Sequence, residues 1–325
     1  MQVRQSVTHS STDSKSLHDQ IVKAIAKAQI TGSPILFSYS QSWECSNPLL
    51  LLASKTEPKQ SKFYWEQPTA DLVLAGAGSV AEISVPHHNL SDRFACAKQF
   101  MKAHLDNAII VKHPALELAK SEIPIHIFGA FSFYHSHNQS HDWLDLQSPN
   151  DQPAIEFPTL LFFIPRWMLR QCSKRCTLTL NHYIQPWDNA NEVTESIEDI
   201  RSHLHESSHY QAPTLHEVSK IIEVEGTQIW TEIVEQALTL INQGHFEKVV
   251  LARALDVMAD RNFDPFQVLH VLRCEYPECI SFLLDCGVGR TFLGATPEVV
   301  LQFKMQGDRL WLRSDALAGS IQRGK

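Results

Sequence analysis

The chain is predicted to be an α+β protein, a layered sandwich of mostly antiparallel sheets with packed helices. Three observations predict it. Stretches with apolar residues at helical spacing are scattered among short strand-like runs and do not alternate with them one for one, which argues against a doubly wound parallel sheet. Two apolar runs late in the chain, residues 299–305 and 310–313, are joined by the turn Gln306-Gly307-Asp308, a hairpin signal. Finally, 325 residues with 43% hydrophobic and 20% charged content are enough to bury a substantial core.

Each element follows from local pattern. Leu17, Ile21, Ala24 and Ala28 predict an amphipathic helix over residues 15–29, stopped near Gly32 and Pro34. Residues 35–85 read as short strands, including 62–66 and 71–75. A second helix is expected after Ser91, with Phe94, Ala97, Met101 and Leu105 on one face. Residues 125–133 and 157–165 read as buried strands around a polar loop, 134–153. Val193, Ile197, Ile200 and Leu204 mark another helical stripe, followed by a surface connection at 205–214. A helix capped by Thr227 carries Ile229, Ile233, Ala237 and Ile241, and Gly244 is placed to end it in a left-handed conformation. A strand bearing Lys248 is expected immediately afterwards. Asp264-Pro265 opens a further helix in cap-then-proline order, and a strand is expected at 280–284.

Composition removes several classes of function. A formal net charge of −8, with no long basic tract, argues against a nucleic-acid partner. The longest apolar runs, at 49–53 and 160–164, are too short to span a bilayer, so no membrane partner is expected. Residues 1–16 are rich in Ser, Thr and Gln, lack the apolar core of a secretory signal, and are expected to be a flexible tail. Seven cysteines, an odd number spread over a long chain, do not resemble a disulfide framework. A cytoplasmic location is expected on these grounds.

Three segments carry candidate chemistry. Lys248 stands in the run His245-Phe246-Glu247-Lys248-Val249-Val250-Leu251, apolar enough on its C-terminal side to be buried on both faces. A lysine at a strand edge usually serves only solubility, but one turned inward would be desolvated, which favours the neutral amine and makes it a base. Glu298 follows the turn Thr296-Pro297 and precedes Val299-Val300-Leu301, so its carboxyl could be held protonated in a partly apolar pocket, as a general acid requires. Ala318-Gly319-Ser320 is a stretch of small residues whose backbone N–H groups could approach a carboxylate, with Arg323 and Lys325 adding positive charge beyond it.

Other motifs fail on context. Gly76-x-Gly78-x-x-Ala81 mimics a dinucleotide fingerprint, but the extended, proline-stopped run Glu82-Ile83-Ser84-Val85-Pro86 follows it where a helix is needed. His135, His137 and His141, and His203, His205 and His209, cluster without matching Cys or carboxylate partners. Cys172/Cys176 and Cys274/Cys279/Cys286 lack zinc-knuckle spacing and are expected to be buried small hydrophobes.

In order and spacing, the helix with Trp230, the segment 248–253, Phe292-Leu293-Gly294-Ala295-Thr296-Pro297-Glu298 and Leu317-Ala318-Gly319-Ser320 resemble the chorismate-utilising enzymes. Upstream, Phe63-Tyr64-Trp65-Glu66, Ala75-Gly76-Ala77-Gly78, Phe128-Gly129-Ala130-Phe131-Ser132-Phe133 and Trp143 resemble the isochorismate synthases of that family. The similarity runs over nearly everything after residue 35. It implies the chorismate-binding fold, with residues 17–210 as an N-terminal α/β portion and 221–325 as the first part of the catalytic region.

The resemblance also implies roles. Lys248 would be the general base that activates water, Glu298 the general acid that protonates the departing ring hydroxyl, and Ala318, Gly319 and Ser320 substrate-binding residues. The partners implied are chorismate and isochorismate, and the cofactor is magnesium, Mg2+. Family members that use ammonia carry glutamine at the position of Lys248. A lysine there points to water as nucleophile, so no amidotransferase subunit is expected. The family continues past the Ala-Gly-Ser turn, and its magnesium-holding glutamates are expected beyond residue 325, so the fold is expected to be incomplete here. The product would serve menaquinone or siderophore biosynthesis. The alternatives are a salicylate synthase, which shares the lysine but also eliminates pyruvate, and an inactive fragment that keeps part of the fold.

Overall fold

The computed structural model describes residues 11–55, 59–86, 92–117, 125–133, 157–205, 218–223, 227–251, 255–259, 262–287, 289–306 and 309–315. In chain order its elements begin with α1 (Ser11–Thr31), β1 (Ile35–Trp43), α2 (Pro48–Lys55), β2 (Lys62–Gln67), β3 (Leu72–Ala77), β4 (Ala81–Val85) and α3 (Arg93–Leu105). There follow β5 (Ile109–Lys112), β6 (Phe128–Phe131), β7 (Leu160–Ile164), β8 (Trp167–Cys172), β9 (Arg175–Ile184) and α4 (Ala190–His205). The last are β10 (Val218–Glu223), α5 (Thr227–Asn242), β11 (Leu255–Ala259), α6 (Pro265–Glu275), β12 (Ile280–Asp285), β13 (Thr291–Thr296), β14 (Gln302–Gln306) and β15 (Arg309–Arg313). The chain divides into two compact units, one of residues 1–139, 155–211 and 268–325, the other of 140–154 and 212–267.

The first unit is organised by an eight-stranded open sheet of order β13-β12-β2-β3-β8-β9-β1-β5. All its pairings are antiparallel except β1 with β5. The α+β expectation therefore holds, with mostly antiparallel sheets and packed helices. The predicted stripe Leu17, Ile21, Ala24, Ala28 on α1 is at most 1% exposed, and α1 packs on α4 and β1. That helix starts at Ser11, earlier than the predicted residue 15, and ends at Thr31 before Gly32 (φ +62°). Val193, Ile197 and Leu204 of α4 are buried as expected, joined by Arg201, which pairs with Glu198 one turn before it.

Two ionic contacts stitch distant segments to β2. Lys62 Nζ donates to Asp285 Oδ2 at 3.0 Å, with side chains only 5% and 10% exposed. Their residues are cross-strand partners on β2 and β12. Arg273 of α6 meets Glu66 at 3.1 Å and donates to the Tyr64 hydroxyl at 3.2 Å, while Tyr64 donates to Glu66 at 2.8 Å. Burial pushes the Tyr64 hydroxyl far above the usual tyrosine range, so it stays a donor.

A separate three-stranded sheet, β4-β7-β6, buries Phe163, Leu160 and Phe128. Phe128 stacks on Phe63 with centroids 4.1 Å apart. Gly129 lies where a Cβ would overlap the Leu161 carbonyl oxygen and the Phe162 ring. Backbone cannot step aside as a flexible side chain can. Gly129→Ala is expected to cost about 1–3 kcal/mol, the range for overpacking a core, read as a lower urea midpoint with unchanged slope.

Burial also holds two histidines below their ordinary value. For His104 of α3 the cause is desolvation alone. For His182 of β9 desolvation leads, opposed by Asp188 and reinforced by Arg166. The ordinary value is 6.5 for both. At these two positions the unfolded chain therefore takes up protons before the folded one as pH falls, so their contribution to stability drops below that value and recovers above it. Between about pH 7 and about pH 5 the fall in melting temperature is expected to be shallower in His182→Gln than in the parent. Equal slopes would remove His182 from this effect.

Several sequence expectations are corrected. The apolar run at 49–53 is helical, not a strand: Pro48 sits at its start, and Asn47 accepts from the Leu50 N–H at 3.4 Å and the Leu51 N–H at 3.2 Å. On α3 the buried residues are Arg93, Ala97 and Phe100, while Phe94 is 60% exposed. The face is turned because Arg93 donates to Ser132 and Phe133, anchoring that side inward. Of the cysteines expected to be buried, only Cys176 is; Cys172, Cys279 and Cys286 are half-buried and Cys274 is exposed. The loop at 134–153, with its histidines and Trp143, lies outside the described residues, as do residues 1–10 and most of the 205–214 connection.

In the second unit β10 and β11 form a two-stranded antiparallel sheet, and α5 stands between them in the chain. The Asp264 carboxylate accepts from the Phe266 and Gln267 N–H groups at 2.8 and 3.3 Å, so the cap-then-proline signal is realised. Among the described residues no helix is long and apolar enough to cross a membrane.

Candidate active site

Lys248 is positioned by the end of α5. Along that helix Ala237 is buried and Ile233 and Ile241 are half-buried, but Ile229 is 52% exposed. Gly244 (φ +77°) donates to the Ile241 carbonyl at 3.0 Å, and His245 donates to the Leu240 carbonyl at 3.1 Å. This crossed pair satisfies the last carbonyls and turns the chain through a left-handed residue, the stop the sequence predicts. Lys248 follows four residues later and is exposed.

The buried strand expected there is not observed. Residues 248–251 belong to no strand, Val249 is 41% exposed and Val250 83%, and the next strand, β11, begins at Leu255. A strand buries both faces only when neighbours pair with it, and among the described residues no strand is registered against 246–251.

Glu298 stands two residues beyond β13 and is half-buried. The Thr296 hydroxyl shapes the approach: it accepts from the Glu298 N–H at 3.3 Å and lies 3.4 Å from the Glu298 carbonyl, to which it donates. Upstream, Gly294 lets β13 lie close to Phe282 on β12, since a Cβ there would meet the ring at 3.0 Å. Downstream, Asp315 N–H donates to the Val299 carbonyl at 2.9 Å and Ser314 Oγ to the Val300 carbonyl at 2.7 Å. Local bonds on both sides therefore hold the segment that carries Glu298.

Lys248 belongs to the second unit and Glu298 to the first. Ala318, Gly319 and Ser320, with Arg323 and Lys325, lie outside the described residues. Among the described residues no three His, Cys, Asp or Glu side chains gather as a metal site would need, so these residues do not fit a magnesium centre on their own. The histidines of α4 have structural partners: His203 Nε2 lies 3.3 Å from the Lys55 carbonyl, and the His205 ring packs tilted against Trp43 with centroids 3.9 Å apart.

Reading the sequence did not find an open polar cavity of about 370 Å³ in the first unit, lined by residues including Lys59, Ser61, Glu82, Arg166 and Gly287. Gly78, from the false dinucleotide motif, also lines it, and β4 follows that motif as an extended strand, as expected. The glycines answer to packing: a Cβ on Gly76 would press on the Trp167 carbonyl, and Gly78 takes φ +66°.

Residues 23–325 match the model of a family described as chorismate binding enzyme. The chain belongs to the chorismate-binding enzyme family. Within it, the chain is 24% identical over 318 residues to isochorismate synthase MenF of Bacillus subtilis, covering 96% of this chain and 62% of that protein. It is 23% identical over 304 residues to the salicylate biosynthesis isochorismate synthase of Pseudomonas aeruginosa, covering 93% and 57%. The solved structure of MenF, the menaquinone-specific isochorismate synthase from Escherichia coli, matches with a TM-score of 0.56 at 18% identity, covering 86% of this chain and 56% of that one. That likeness supports the chorismate-binding-type fold alone. The chain spans about three-fifths of the length of the B. subtilis relative.

Proposed function

We propose that the protein carrying these residues is an isochorismate synthase, interconverting chorismate and isochorismate. The supporting observation is similarity to an isochorismate synthase along 96% of the chain, with lysine and not glutamine at position 248. In this proposal the Lys248 amine takes a proton from water as the water oxygen bonds to one ring carbon. The Glu298 carboxyl gives a proton to the hydroxyl leaving another carbon, so one water enters and one departs. The amine must be neutral and the carboxyl protonated at the start. Since Lys248 is exposed in this structure, its desolvation has to come with the bound substrate. Magnesium would neutralise the substrate carboxylate when bound; with no cluster of ligands among the described residues, no step is assigned to it.

The test is product analysis with the full-length protein, chorismate and magnesium. Isochorismate as the product supports the proposal. Salicylate with pyruvate would transfer it to salicylate synthase, which shares the lysine. No consumption of chorismate by a folded full-length protein would overturn both and leave a non-catalytic member of the family.

A further inference from the structure

Two cysteines distant in sequence meet at the edge of the β1–β9 ladder. Antiparallel register places Trp43, the last residue of β1, opposite Cys176 on β9, and Gln171 of β8 opposite Cys176 from the other side. Paired residues share a face of the sheet, so Trp43, Gln171 and Cys176 project together. Cys45 follows Trp43 by two residues, and its carbonyl accepts from Gln171 Nε2 at 3.4 Å. The same neighbour that flanks Cys176 thus holds the Cys45 backbone beside it. The Cys176 thiol and the Asn47 N–H both lie close enough to the Cys45 thiol to act on its ionisation. Cys176 contributes most and Asn47 adds to it, and together they outweigh desolvation by burial to hold the Cys45 thiol below its ordinary value of 9.0. Cys45 is half-buried, within reach of a small solute, whereas Cys176 is 7% exposed.

We propose that Cys45 and Cys176 form a reversible dithiol–disulfide pair, with Cys45 the sulfur that meets hydrogen peroxide first. The Cys45 thiolate attacks one peroxide oxygen, an S–O bond forms, the O–O bond breaks, and the leaving oxygen departs as water after taking a proton. The Cys176 sulfur then displaces the sulfenic oxygen, which leaves as a second water, and the S–S bond closes. Two thiols lose two protons and two electrons, and one hydrogen peroxide is reduced. Cys172 sits across the same hairpin opposite Arg175, one position out of phase, and so projects to the other face. It is the internal control.

The experiment treats the purified chain with hydrogen peroxide, blocks remaining thiols by alkylation, and maps cross-linked peptides without reduction. The expected result is loss of two of the seven thiols, a Cys45–Cys176 cross-link, and recovery of both thiols with dithiothreitol. In Cys176→Ser, Cys45 should instead accumulate sulfenic acid that dimedone traps. In Cys45→Ser, at the more exposed position, the cross-link should vanish while circular dichroism shows the fold retained. A cross-link through Cys172 in place of Cys45, or oxidation that ranks the cysteines by exposure alone with Cys274 first, would overturn the proposal.

Discussion

Chorismate turnover by the full-length protein is expected to fall by roughly 10²–10⁴-fold when Lys248 is replaced by glutamine, the usual contribution of one general acid or base. Glutamine keeps the length of the polar side chain but cannot take a proton from water, so the loss should appear in kcat with little change in KM. Glu298→Gln should cost a comparable factor, because a carboxamide cannot protonate the leaving hydroxyl. If the two groups serve one proton circuit, the double variant should be little worse than either single one. Steady-state kinetics on the four proteins checks this, and undiminished turnover in either single variant would remove that residue from the proposed mechanism. Because Lys248 is exposed, its replacement should leave the melting temperature unchanged, which separates loss of chemistry from loss of fold.

The second large effect concerns the fold itself. Lys62→Met is expected to lower the unfolding free energy by about 3–5 kcal/mol, the range for removing one partner of a buried ion pair. Asp285 would be left with a carboxylate 7% exposed as a residue, its remaining contact a 2.8 Å bond from the Gly287 N–H. The double variant Lys62→Met/Asp285→Leu removes both charges and should recover most of the loss, because an apolar pair of similar volume at such a site is often neutral or better. Urea unfolding of the parent and three variants decides it. A single variant within about 1 kcal/mol of the parent, the worth of a surface pair, would mean that the charges are effectively solvated.

Much of the architecture was legible because helical stripes declare themselves. Leu17 to Ala28 on α1 and Ile229 to Ile241 on α5 were found from spacing alone, and Gly244 and Asp264-Pro265 marked ends that the structure realises. The misses have physical causes. Asn47-Pro48 carried the same signal as Asp264-Pro265, but the leucine run after it has no periodicity to separate helix from strand. The β8–β9 hairpin turns through Ser173 (φ 50°) and Lys174 (φ 63°), both left-handed without a glycine or asparagine, so the usual signature is missing. Asp71 steadies that turn by accepting from the Ser173 N–H at 2.9 Å, a contact spanning some hundred positions that no local reading can supply. At the candidate site, motif order identified the family. It could not foretell that Val249 and Val250 lie open to solvent, since burial belongs to neighbours and not to the run itself.

The strand order of the large sheet bears on synthesis. One side of β2 pairs with β3, a close neighbour in the chain, but the other waits for β12 at residues 281–285. While the ribosome adds the roughly 220 intervening residues, at about 5–20 per second, that flank of hydrogen-bonding groups stays open for something like 10–45 s. A nascent chain stalled or cleaved within this window presents a ready template for pairing with another copy of itself.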